Sequence, residues 1–205
     1  MDAVETIVLR EPWEIEPRLK ELALTRKGLL EARDVAIHDS ANATLFHAAN
    51  AAGTFSYHSG TWALRDRFVG GDWILDRSDG VETIRNGKLK LKVAFSNVDI
   101  ACNNFHIPKP RTKKGAGAER ATGADLFGFA DLPQYAPRPA GEWNFYYLMV
   151  DSDGAAELTR PVVKGGTFVA AVERIFLPSG ADDSDKFLED TTDTVVEFEP
   201  QIARK

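Results

Sequence analysis

Apolar residues recur at helical spacing through the first third of the chain: Leu19, Leu22 and Leu24, then Leu29, Leu30, Val35 and Ile37, amid many alanines. The spacing predicts helices over 16–25 and 28–50, broken near Gly28. Pro17 suits a helix start, because a first-turn N–H has no intrahelical partner. Ala51, Ala52 and Gly53 close the region, and "YHSGTWALRDRFVGGDW" then predicts a short amphipathic helix. Trp62, Leu64, Phe68 and Val69 form its apolar side, and Gly70-Gly71 stops it.

After Trp73 the period shortens to that of strands. In "VETIRNGKLKLKVAF" two extended runs meet at Asn86-Gly87, a pair favoured where a tight hairpin turn needs positive φ at both central residues. Leu89, Leu91 and Val93 alternate with Lys88, Lys90 and Lys92, which predicts one buried face and one lysine ladder facing solvent. "WNFYYLMV" and "AAELTRPVV" form a second hairpin across Asp151-Ser152-Asp153-Gly154, and "TFVAAVERIFLP" adds a strand ending at Pro178. Helices segregated before hairpin-linked strands predict an α+β fold: N-terminal helices followed by an antiparallel β-sheet built from hairpins. The expected organisation is a single domain over 1–178 and an acidic C-terminal tail over 179–205.

Composition fits that picture. The 205 residues are 43% hydrophobic, 27% charged and 10% aromatic, a globular balance too rich in aromatics for a disordered chain. No run approaches the roughly 18 apolar residues of a membrane helix, and the N-terminus, "MDAVETIVLREPWEIE", is acidic where a signal peptide is basic. Cys102 is the only cysteine, so no intrachain disulfide is available. The expected address is the cytoplasm, with no membrane partner.

Charge is distributed unevenly. The formal net charge is −6, yet between His106 and Arg120 five basic residues (Lys109, Arg111, Lys113, Lys114 and Arg120) stand against Glu119 alone, a local +4. Between Ala181 and Glu199 eight acids stand against Lys186, a local −7. The basic segment lies in "CNNFHIPKPRTKKGAGAERATG", residues 102–123, which has few large apolar residues, two prolines that favour extension, and Gly115 and Gly117. Such a loop suits phosphate contacts, which position a protein on nucleic acid without reading its sequence. The candidate nucleic-acid-binding residues are Lys109, Arg111, Lys113, Lys114 and Arg120, joined by Lys88, Lys90 and Lys92 where the ladder and the loop share a face. Phe105 and Phe127 flank them as stacking surfaces.

Catalytic signatures are absent. "GAGAER" lacks the Gly-x4-Gly-Lys-Ser/Thr pattern of a P-loop. Cys102 and His106 have ligand-like spacing, but a zinc site needs two more ligands, and His38, His47 and His58 show no paired arrangement. Restriction-type nucleases place an Asp, then Glu-x-Lys, on adjacent strands to hold magnesium. Asp76, Asp79 and Glu82 precede the hairpin, but Lys90-Leu91-Lys92 has no acid before its spacer, so only Glu31 or Glu157 is left to complete the set in space. No cofactor is implied.

Taken together, "GTFSY", "ALRDRF…GDW", "PKPRTKKG" and "ELTRPVV…ERIFLP" are similar to a pattern in uncharacterised bacterial proteins carried on phages and mobile elements. The resemblance implies a setting in which transactions on DNA or RNA are common, and it transfers no active site. The leading expectation is a non-enzymatic nucleic-acid-binding protein. The alternatives are an acidic interaction or inhibitor protein that docks through its tail on a basic nucleic-acid enzyme, and a metal-dependent nuclease.

Overall fold

The computed structural model describes residues 6–121 and 143–177; the acidic stretch expected to be a tail lies outside them. Three helices come early: α1 (Pro12–Glu21), α2 (Arg26–Ser40) and α3 (Ala51–Phe68). α1 starts earlier than predicted. Pro12 takes the first-turn position, and Glu11 and Glu14 cap each other's backbone, so Pro17 sits inside the helix. Thr25 caps α2, its Oγ1 accepting from the Gly28 N–H at 3.2 Å.

The helix expected over 28–50 ends at Ser40. Beyond it Leu45 and Phe46 are fully exposed, and Thr44 and His47 bond each other's backbone and side chains locally, an alternative to helical pairing. Ala51 and Ala52 therefore open α3 where they were expected to close a helix. On α3, Leu64 is buried but Trp62 is 59% exposed, so the predicted apolar stripe is only partly inward.

Seven strands form one sheet: β1 (Ile7–Leu9), β2 (Trp73–Asp76), β3 (Thr83–Asn86), β4 (Leu91–Asn97), β5 (Asn144–Val150), β6 (Ala156–Lys164) and β7 (Thr167–Phe176). Their order is β1-β7-β6-β5-β4-β3-β2. The α+β class and the N-terminal helices stand. The sheet, however, is mixed: β4 runs parallel to β5, and β1 parallel to β7. Residues 98–143 separate β4 from β5 in sequence, and a parallel pair needs a connection of about a dozen residues or more where a hairpin turn needs about two.

The β3–β4 hairpin forms, but not through a two-residue turn. Asn86 pairs with Leu91, leaving residues 87–90 as the loop. Asn86 acts through its side chain, whose Oδ1 accepts from the N–H groups of Lys88 and Leu89 at 3.1 and 3.2 Å. The positive φ falls on Lys90, at 51°.

Both faces of the sheet are covered. Leu91, Val93, Phe95, Tyr146, Leu148 and Ile175 pack under the helices with Ile15, Leu19, Leu29 and Leu64. On the opposite face Ala94, Phe145, Tyr147, Met149 and Phe168 pack with Val98, Ala101, Cys102 and Ile107 from the chain that follows β4. The lysine ladder therefore does not run along β4: Lys92 is only 6% exposed, while Lys88 and Lys90 are exposed in the hairpin loop before the strand.

Helix and sheet approach most closely at Gly60. A Cβ there would lie 2.5 Å from the ring of Phe95, which is buried in the core. Gly60→Val is expected to destabilise the fold by about 1–3 kcal/mol through overpacking, measured as a lower urea midpoint with an unchanged slope.

Candidate nucleic-acid interface

The chain leaving β4 is pinned as soon as it emerges. Val98 donates to the Val150 carbonyl at 2.9 Å and bridges to Pro110, where Asp99 N–H reaches the Lys109 carbonyl at 3.0 Å and Arg111 N–H the Asn97 carbonyl at 3.1 Å. Proline fits this bridge because the donors on its strand are its neighbours. The Asp99 carboxylate closes the neck, accepting from the N–H groups of Ile100 and Lys109 at 2.7 Å and facing His106 Nε2 at 2.9 Å. Burial pushes its pKa up, but these bonds outweigh burial and hold it below the ordinary carboxylate value.

Beneath the loop lies a buried ion pair. Arg174 on β7 and Glu157 on β6 are 1% and 0% exposed. They meet as a two-pronged pair, Nε to Oε1 at 2.9 Å and Nη2 to Oε2 at 2.6 Å. Their remaining capacity is spent on the loop: Glu157 accepts from the Cys102 N–H at 2.7 Å, and Arg174 Nη1 donates to the carbonyls of Asn103 and His106 at 2.7 and 3.0 Å. Thr159 Oγ1 completes the carboxylate's shell at 2.6 Å, and Asp151 holds the Ala101 N–H at 2.9 Å. A segment with little apolar content is thus held by backbone groups bonded to buried charges. At its tip Phe105 is 99% exposed.

The predicted basic residues separate into distinct environments. Lys109, Arg111 and Lys113 are exposed, and among the described residues none has a carboxylate within ion-pairing distance. Arg111 spends only Nε, on the Val98 carbonyl at 3.2 Å, and borders a cleft with Gly53, Ser56 and Asn97. Lys114 turns inward. Arg120 falls within a short helix, α4 (Ala116–Ala121). Lys88 pairs with Asp72 at 2.6 Å, and Lys90 lies over the Trp143 ring at 5.3 Å. Lys92 is buried against Asp76 at 3.0 Å, a distance at which its charge is neutralised. Lys90 precedes β4 and Arg111 adjoins its far end, so the seven-residue strand Leu91–Asn97 holds them roughly 20 Å apart. The ladder and the loop do not form one basic face.

The other candidates are engaged. Asp76 serves Lys92, Ser78 and Thr83; Glu82 pairs with Arg65 and Arg77; Glu31 pairs with Arg67 at 3.1 Å; Glu157 belongs to Arg174. Among the described residues no group of three or more His, Cys, Asp or Glu is arranged to hold a metal ion. Cys102 and His106 part company: the thiol donates to the Ala156 carbonyl at 3.1 Å while His106 faces Asp99. Burial, reinforced by Glu157, pushes the Cys102 thiol up to about 12, so it stays protonated and inert.

No family model matches the sequence, and neither the curated proteins nor the solved structures contain a match to it. What sequence reasoning missed was the Glu157–Arg174 clamp, although its signal was visible as charged residues embedded in the apolar strand runs "AAELT" and "AVERIF".

Removing one member of the clamp leaves the other buried without a partner. Glu157→Leu is expected to cost about 3–5 kcal/mol and to release the loop, so that Cys102 reacts with a thiol reagent such as DTNB that does not reach it in the wild type.

Lys114 sets a pH dependence. Burial lowers its pKa from 10.5 to about 8. Below about 8 both folded and unfolded states carry the proton, and the burial cost is present in full. Between about 8 and 10.5 the native state releases the proton while the unfolded state keeps it, so stability rises with pH. The cost is on the order of 3 kcal/mol, of which the rings of Tyr147 and Phe168, 5.0 and 5.6 Å from the ammonium, return a part. Lys114→Met is expected to be more stable than wild type at neutral pH, with the gap closing over that window in urea titrations at stepped pH.

Proposed function

We propose that the protein is a non-enzymatic nucleic-acid-binding protein that grips phosphates with Lys109, Arg111 and Lys113 and stacks a base on Phe105. One observation carries this reading. A fully exposed aromatic ring stands on a loop clamped from below, beside three exposed cations that have no carboxylate partner among the described residues.

Ordinarily a glycine- and lysine-rich loop loses much conformational entropy when it binds. Here the buried Glu157–Arg174 pair and the Asp99 neck have already ordered residues 99–111. A phenyl ring in water gains from stacking on any base, which favours a single strand whose bases are free. Lys114 and Lys92 point into the fold and make no contact with the strand; Lys88 and Lys90 form a separate basic group at the other end of β4. The resemblance of its short motifs to those of phage and mobile-element proteins is compatible with such a role.

The test is binding of fluorescein-labelled single-stranded DNA and RNA followed by anisotropy at several salt concentrations. Three phosphate contacts predict a log–log salt slope near about −2. Reversing Lys109, Arg111 and Lys113 to Glu should weaken binding by about tenfold or more and flatten that slope. Phe105→Ala should weaken binding by about 1–3 kcal/mol and leave the slope unchanged. Salt-insensitive binding, or binding indifferent to the charge reversals, would rule the reading out.

A further inference from the structure

Lys114 stands apart from the other cations of its loop. Its backbone N–H donates to the Gly166 carbonyl at 2.8 Å, which ties the segment to the turn between β6 and β7. The side chain then runs inward to the sheet face opposite α1–α3. There Nζ lies 2.7 Å from Ser96 Oγ, with the rings of Tyr147 and Phe168 as walls. Among the described residues no carboxylate lies within ion-pairing distance of it, in contrast to Lys92, which meets Asp76 on the same sheet face.

Each neighbour limits what the amine can do. The Ser96 hydroxyl donates to the Asn97 carbonyl at 3.2 Å, so towards Lys114 it acts as an acceptor. That bond engages one N–H of the amine and fixes its direction. The aromatic walls attract an ammonium only moderately and offer no proton acceptor, so the neutral amine, with its lone pair, is accessible near neutral pH. Burial acts in the same direction.

A second observation concerns the Tyr147 side chain, whose ring lies 5.0 Å from the ammonium. The Tyr147 hydroxyl is buried and, among the described residues, has no hydrogen-bond partner. A buried phenol without a partner forfeits on the order of 1–3 kcal/mol. A carbonyl or carbinolamine oxygen bound in the recess is the kind of group that recovers it.

We propose that Lys114 is a reactive-amine site that forms an imine with a small aldehyde or ketone, its oxygen received by the Tyr147 hydroxyl. The Nζ lone pair attacks the carbonyl carbon; the new N–C bond forms as the C=O π bond breaks, and the oxygen takes up a proton to give a carbinolamine. Loss of a nitrogen proton and of the hydroxyl, together one water, leaves the C=N bond. Amine and carbonyl become imine and water, with no oxidant or reductant consumed. The surroundings of Nζ, two aromatic rings and the Ser96 hydroxyl, suit a short uncharged carbonyl compound. The site is independent of the nucleic-acid reading, which uses Lys109, Arg111 and Lys113.

The full-length chain serves as its own control. Treated at neutral pH with acetaldehyde and cyanoborohydride, which reduces the imine to a stable secondary amine, every lysine is scored by peptide mass spectrometry. Lys114 is expected to be alkylated at least about tenfold faster than the exposed Lys109 and Lys113 of the same loop, because a far larger fraction of it is unprotonated. Tyr147→Phe is expected to slow Lys114 alone. Alkylation of Lys114 no faster than that of its exposed neighbours would overturn the site, and an unchanged rate in Tyr147→Phe would overturn the part given to the phenol.

Discussion

Two charges that cannot reach water organise this molecule. Glu157 and Arg174 lie on β6 and β7, adjacent antiparallel strands flanked on both sides, and neither charge is tolerable there alone. Their mutual bonds leave one carboxylate oxygen and one guanidinium nitrogen with capacity to spare, and both are satisfied by backbone of residues 102–106. A hydrophobic clamp would need large side chains in that stretch, and it has few. The ionic clamp needs only peptide groups, which leaves the loop's own side chains free to face outward. This arrangement lets a polar, cationic segment be rigid.

The same logic explains why the sheet is covered on both faces although α1–α3 occupy only one. The chain that leaves β4 lies on the second face, where Val98, Ala101 and Ile107 supply apolar contacts. Lys114 and Lys92 also end there, one against a hydroxyl and two rings, the other against an aspartate. Two lysines that look alike in sequence have thus been placed in opposite electrostatic environments. One meets a carboxylate; the other, among the described residues, has a hydroxyl and two rings beside it and no carboxylate.

Much of the fold was legible in the chain, and the exceptions have physical causes. The hairpins at Asn86-Gly87 and Asp151–Gly154 and the helix stop at Gly70-Gly71 are local events, and local residues announce them. The parallel pairing of β4 with β5 depends on where a long connection ends, which no short window records. Alternation of leucine and lysine predicted a solvent face because it assumes a sheet open on one side; Lys92 shows that alternation is blind to what covers the other side. Among the candidate residues, exposure separated Lys109, Arg111 and Lys113 from Lys114, although all four contribute equally to the local charge. Exposure is a tertiary property, whereas net charge is a sum.

One feature at the edge of the sheet bears on the order in which the molecule is made. Among the described residues β1 pairs with β7 alone, with Ile7 beside Glu173. β2 to β6 all lie between the two in the chain, so a ribosome releases β1 long before its partner. Throughout that interval Ile7, Val8 and Leu9 have no native pairing available, while α1, which follows them directly, can already form on its own capping box. β1 can take its place only once β7 exists, so in a growing chain its pairing waits on the synthesis of β7.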